Sequence, residues 1–205
     1  MRGCIYNGGH MKQRIKHLLL LILLIGIDQA SKLWVKSDLM NQDPLIIIKD
    51  VLRLQYHENN GAVWGILSGK VVYLTIFTFL IMIFILYLYF KIPDDKKYNA
   101  LKILTVFITA GAIGNLIDRM YLGYVVDFIY FEIINFPLFN IADSYLTVSS
   151  ILLLILALFY YKDEDFAFLD QIFKRRNQNV SISEEDPSDE ADDTEASDED
   201  ENMDV

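Results

Sequence analysis

The chain has 205 residues, 53% of them hydrophobic, with a mean hydropathy of +0.28. That suits one soluble domain or a small bundle of membrane helices, and the apolar excess favours the bundle. The formal charge of −10 belongs to one appendage, since thirteen of the twenty-eight acids lie in Glu184 to Asp204 and no Lys or Arg follows Arg176. A lone cysteine, Cys4, excludes an internal disulfide and a thiolate metal cluster, and His10, His17 and His57 lack ligand spacing, so the sequence calls for no metal and no cofactor.

Residues 1–14 form a basic N-terminal extension, and Met11 offers a second start. Ile15 to Val35 is the first long apolar segment. No small-residue cleavage site follows it and three more apolar segments do, so it reads as a membrane span rather than a cleaved leader. Residues 36–69 form a loop in which LIIIKDVLRLQYHENN, rich in β-branched residues, predicts two short strands. Val71 to Phe90 is twenty residues without a charge, the length that crosses a bilayer core. Ala100 to Ile117 is the third span, with Lys102 expected to snorkel to the interface. Tyr145 to Tyr161 is the fourth, extendable to Ile141.

Basic residues cluster at the N-terminus, at Lys91 to Lys102 and at Lys162 to Arg176, while residues 120–141 hold no Lys or Arg. This predicts four spans with both termini cytoplasmic and the two remaining loops outside. DEDFAFLDQIFKRRN reads equally as a surface amphipathic segment or a plain linker. From about Ser181 the chain is too polar to bury a core, and a disordered acidic tail is expected.

The polar residues gather near the outer ends of the spans. Asp28 and Lys32, four apart, share a helical face and form either a plain salt bridge or the support of a polar site. Asn59 lies in HENNGAVWGIL, which reads as a hairpin end or as an amide reaching a neighbouring site; Trp64 is placed to anchor at an interface. Asn115, Asp118 and Arg119 share the face that ends the third span. Arg119 can pair with Asp118 or reach another acid, and Gly111 and Gly114 permit close helix approach. Asp127 stands among apolar residues in VVDFIY, where burial raises a carboxyl pKa. Asn140 and Asp143 have the spacing of a helix cap. Acids at membrane edges are costly and so point to function. Two close carboxyls can share a proton, so that one activates water and the other polarises a peptide carbonyl; which aspartate holds the proton stays open.

DQASK (28–32), NNGAVWG (59–65), GNLIDRMYLGYVVDF (114–128) and FNIADS (139–144) together resemble the lipoprotein signal peptidases, or signal peptidase II, over roughly residues 15–165. The resemblance implies an all-α membrane protein. Four transmembrane helices would carry a small extracytoplasmic β-rich cradle between helices 1 and 2; the tail over 166–205, expected to be cytoplasmic from its flanking charges, lies outside the resemblance. It implies an aspartic endopeptidase of the bacterial cell membrane, with its active site at the outer face, that cuts diacylglyceryl-modified prolipoproteins before the lipidated cysteine. By motif position Asp127 and Asp143 would be catalytic, Asn59, Asn115, Arg119 and Asn140 polar site residues, and Asp28 and Lys32 a structural pair. Its partners would be prolipoprotein substrates and membrane lipids, with no nucleic acid, and it would be a monomer. Trp64 and Val63 depart conservatively from the common pattern. Two rivals are a small ion transporter, which needs polar residues through the whole membrane depth, and a scaffold working through its acidic tail.

Overall fold

A computed structural model describes residues 8–61 and 69–169, so Val63, Trp64 and the acidic tail lie outside the described residues. Packing divides the chain into two units, Met1–Asp165 and Phe166–Val205, and the account below concerns the first. Its elements, in order, are α1 (Gly8–Asp38), β1 (Leu45–Ile48), β2 (Leu52–Asn59), α2 (Val71–Lys91), α3 (Asn99–Tyr121), β3 (Val125–Phe131) and α4 (Ile141–Phe159). All four helices are long and apolar enough to cross a membrane. They extend the expected segments by up to seven residues at their polar flanks, except that α4 ends at Phe159, two residues before the expected end at Tyr161.

Helix α3 is central and packs against α1, α2 and α4. Its glycines set the spacing. A Cβ on Gly111 would press on the Ala142 carbonyl and Leu146, and one on Gly114 would collide with the Asp28 carboxylate. Helix α1 buries a stripe of His17, Leu24, Asp28, Lys32 and Val35, and turns Leu19, Ile22 and Leu33 outward. Such apolar exposure fits a helix bathed in lipid rather than water. Helix α2 is the extreme case, burying only Leu74.

One end of this bundle carries a three-stranded antiparallel sheet in the order β1-β2-β3. Sequence reading anticipated β1 and β2 between the first two helices. It did not anticipate β3, which arrives from between α3 and α4, so the sheet is not confined to the first loop. The turn into β3 is set by Gly123 at φ +79°, in the left-handed region that glycine adopts without strain, with its N–H bonded to the Arg119 carbonyl. One face of the sheet is sealed by Val126 and Phe128 against Val35 and Leu39. Phe139 then pairs with Ile129 through two backbone hydrogen bonds and delivers the chain to the start of α4.

Lys102 does not snorkel. It is 4% exposed and ion-paired with Asp94 in the α2–α3 connection, which also takes Arg14 at 3.1 Å. A partly exposed acceptor within reach removes the need to extend to open water.

Candidate active site

The last turns of α1 and α3, the strand β3 and the first turn of α4 converge at the sheet end of the bundle. Lys32 is the hub. Its ammonium lies 2.9 Å from Asp28, 3.1 Å from Asp118 and 3.0 Å from the Asn115 side-chain oxygen. The i, i+4 step puts Asp28 and Lys32 on one face of α1, and both are buried. Asp28 also accepts the backbone N–H of Ala142 at 2.9 Å, which pins the start of α4 to α1. Asp118 accepts the Val126 N–H at 3.1 Å, which pins β3 to α3. One buried ion cluster thus fixes the two segments that carry Asp127 and Asp143.

Asp127 is 1% exposed and held by two amides, Asn59 Nδ2 at 2.8 Å on one oxygen and Asn140 Nδ2 at 2.7 Å on the other. Asn140 also reaches the Asn115 oxygen at 3.1 Å, and Asn115 Nδ2 donates to Asp143 at 2.7 Å. The two aspartates are therefore joined through Asn140 and Asn115. Asn140 and Asp143 form a complete capping box as well, with Asp143 N–H on the Asn140 oxygen at 2.9 Å and Asn140 N–H on Asp143 at 3.2 Å. Cap and site are the same residues: the cap fixes the Asn140 oxygen and frees its amide for Asp127. Burial pushes the Asp127 carboxyl up, and the charge of Asp143 adds to this. The Asn59 and Asn140 amides pull it back, leaving it at about 7.

Arg119 does not pair with Asp118, which Lys32, Gln29 and the Val126 N–H already occupy. Its guanidinium instead reaches two carbonyls at long range, Asn115 at 3.5 Å and Gly61 at 3.4 Å, within the field of Asp143 and Asp127. The structure thus brings Asp28, Lys32, Asn59, Asn115, Arg119, Asp127, Asn140 and Asp143 together at one end. Sequence reasoning missed Gln29, whose amide nitrogen bridges Asp118 at 3.0 Å, the Gly114 carbonyl at 3.1 Å and Asp28 at 3.2 Å. The available signal was its place in the polar turn that holds Asp28 and Lys32.

Among the described residues, no group of three or more His, Cys, Asp or Glu side chains is arranged to hold a metal ion. What the site offers is a buried carboxyl, Asp127, and a half-buried one, Asp143, in a frame of asparagine amides, with the first pushed up to about 7. Such a pair can take a proton from water and give one to a carbonyl oxygen.

The chain as a whole resembles known proteins. A family model described as Signal peptidase (SPase) II matches residues 20–159. The lipoprotein signal peptidases of Streptococcus pyogenes serotypes M1 and M18 are each 38% identical over 156 residues, covering 76% of this chain and 99% of theirs. Two solved structures, both described as a bacterial membrane enzyme determined by the in meso method, are 38% identical to the chain. The one at 2.3 Å resolution has a TM-score of 0.60 and covers 70% of this chain and 87% of its own. The one at 1.9 Å has a TM-score of 0.62, with coverage of 72% and 94%.

Proposed function

The chain belongs to the signal peptidase II family, aspartic peptidases that remove signal peptides from prolipoproteins, and on that footing we propose that Asp127 and Asp143 are its catalytic pair. The observation that carries the proposal is their shared frame. Both are tied into one end of the bundle, and Asn59, Asn140 and Asn115 donate to them rather than any lysine. Amide donors orient a carboxyl without neutralising it, so the pair stays free to exchange a proton.

In the proposed reaction Asp127 begins protonated and Asp143 ionised, Asp127 being the more deeply buried of the two. Asp143 takes a proton from water as the water oxygen bonds to the scissile carbonyl carbon. Asp127 gives its proton to the carbonyl oxygen, and a tetrahedral diol forms. Its collapse breaks the C–N bond. The nitrogen takes the proton held by Asp143, and a diol hydroxyl returns its proton to Asp127 as the new carboxyl group forms. Both carboxyls regain their starting states. Arg119, held only by long contacts to two carbonyls, is available to a substrate carbonyl.

The bond cut is the one before a diacylglyceryl-modified cysteine, and the substrate reaches the site from within the bilayer. A site at one end of four apolar helices suits a substrate whose lipid stays in the membrane. The distribution of basic residues supports placing this end at the outer face of the cell membrane, with both termini cytoplasmic.

The test is to incubate the purified protein with a lipidated precursor and with its unlipidated counterpart and to follow product mass. Cleavage of the lipidated form alone, N-terminal to the modified cysteine, is the expected outcome. Cleavage of neither, or of both equally, contradicts the assignment.

A further inference from the structure

The strand that supplies Asn59 carries a second group at the same site. In the antiparallel pairing of β2 with β3, His57 stands directly opposite Asp127. Cross-strand partners project from the same face with Cβ atoms about 5 Å apart. Residues two apart along a strand also share a face, so His57 and Asn59 point the same way, and Asn59 donates to Asp127 at 2.8 Å. Two residues further on, the Gly61 carbonyl accepts from Arg119. Residues 57, 59 and 61 thus form one rim of the site, and two of the three are engaged with it. His57 is the third. It is exposed, and among the described residues it makes no hydrogen bond and no ion pair. Its neighbour Glu58 has a different environment, accepting from the Tyr56 hydroxyl at 2.8 Å, and Tyr56 in turn meets Tyr124 at 3.0 Å.

We propose that His57 is a substrate-contacting residue, whose imidazole, on the same sheet face as Asp127, hydrogen-bonds the backbone of the peptide lying across the two aspartates. A peptide placed for hydrolysis must put its scissile carbonyl against the carboxyls. Its flanking peptide groups then meet the rim, where Arg119 supplies donors from α3 and His57 supplies a nitrogen from β2. Asn59 is committed to Asp127 and Gly61 has no side chain. Of the three rim residues, His57 alone has a free polar side chain.

This assignment rests on the peptidase reading and is tested by steady-state kinetics on a lipidated precursor. The enzymes are the wild type, His57→Ala, His57→Gln, Glu58→Gln and Asp127→Asn, each with its melting temperature. A contact made equally in the bound and transition states appears in KM. His57→Ala is expected to raise KM about fivefold to tenfold, the worth of one lost hydrogen bond, with kcat nearly unchanged. His57→Gln retains a donor and an acceptor and is expected to recover most of that loss. Glu58→Gln is expected to match the wild type. Wild-type kinetics in His57→Ala, with Asp127→Asn inactive, overturn the His57 assignment alone. Equal losses in the Ala and Gln variants accompanied by a fall in melting temperature also overturn it, by assigning His57 a purely structural role. Full activity in Asp127→Asn overturns the dyad and this assignment with it.

Discussion

The two ends of the helical bundle each bury a lysine, and the comparison separates structure from chemistry. At the end remote from the sheet, Lys102 is 4% exposed and pairs with Asp94, which also takes Arg14 and lies 3.6 Å from His10. At the sheet end, Lys32 is 3% exposed and pairs with both Asp28 and Asp118. Around Asp94 the cations are in excess. Burial works against its charge, but Lys102, Arg14 and His10 outweigh that and hold its carboxyl below the usual range. Around Asp127 the acids are in excess. Lys32 is spent on two other carboxylates, Asp127 receives only amides, and its carboxyl rises to about 7. A charged cluster at a membrane edge is therefore not in itself a sign of catalysis. The sign is an acid that its surroundings leave unneutralised.

The largest expected effect comes from breaking that surplus. Asp127→Asn or Asp143→Asn should lower kcat by about 10³-fold or more, since each removes a proton-transfer group. Measured by product mass on the lipidated precursor, the same loss is not expected for Asp94→Asn. The next effect is on Lys32. Lys32→Met leaves Asp28 and Asp118 buried without a cation and should cost about 3–5 kcal/mol of stability, read from denaturant unfolding in detergent. Activity should fall too, because both anchors of the catalytic segments loosen. Lys102→Met should lower stability less, because Asp94 keeps Arg14, and should leave kcat within about twofold because the sites are distant. A comparable loss of kcat from Lys102→Met would erase the distinction between the ends.

A smaller effect tests the half-protonated acid. With Asp127 as the proton donor, the active form is lost as pH rises through its pKa. The profile of kcat/KM should therefore fall on the alkaline side of about 7, by tenfold per unit at the limit. A flat profile between pH 6 and 9 would assign the proton elsewhere. The smallest effect is expected from deleting residues 177–205. Cleavage should stay within about twofold of the full chain, since these residues lie beyond the stretch that the family model matches.

Much of this was legible in the sequence because it lies in local spacing. Asp28 and Lys32 are one helical turn apart, Asn140 and Asp143 have cap spacing, and Val71 to Phe90 has no charge to interrupt a span. The less legible parts are long-range. Asp118 looked like a partner for Arg119 because the two are adjacent, but Lys32, 86 positions earlier, takes it through the close packing that Gly114 permits. Lys102 was read as snorkelling because Asp94 lies across a turn, and helical periodicity does not cross turns. The third strand was obscured by its brevity. VVDFIYF has an apolar, β-branched character, but a seven-residue apolar run between two spans carries no period that separates strand from loop. Its partner, β2, lies some seventy residues earlier, and pairing at that distance leaves no local trace. The role of Asn140 was only half visible. Spacing indicated the cap, whereas its bond to Asp127 depends on how α4 meets β3.

The most direct test of the catalytic pair is a cleavage assay in which Asp127→Asn, Asp143→Asn and Asp94→Asn are each compared with the wild type on one lipidated precursor, after each variant has been shown to melt cooperatively. Loss of product with the first two and near-normal product with the third is the predicted result. Cleavage by a folded Asp127→Asn or Asp143→Asn enzyme at the wild-type rate would contradict it.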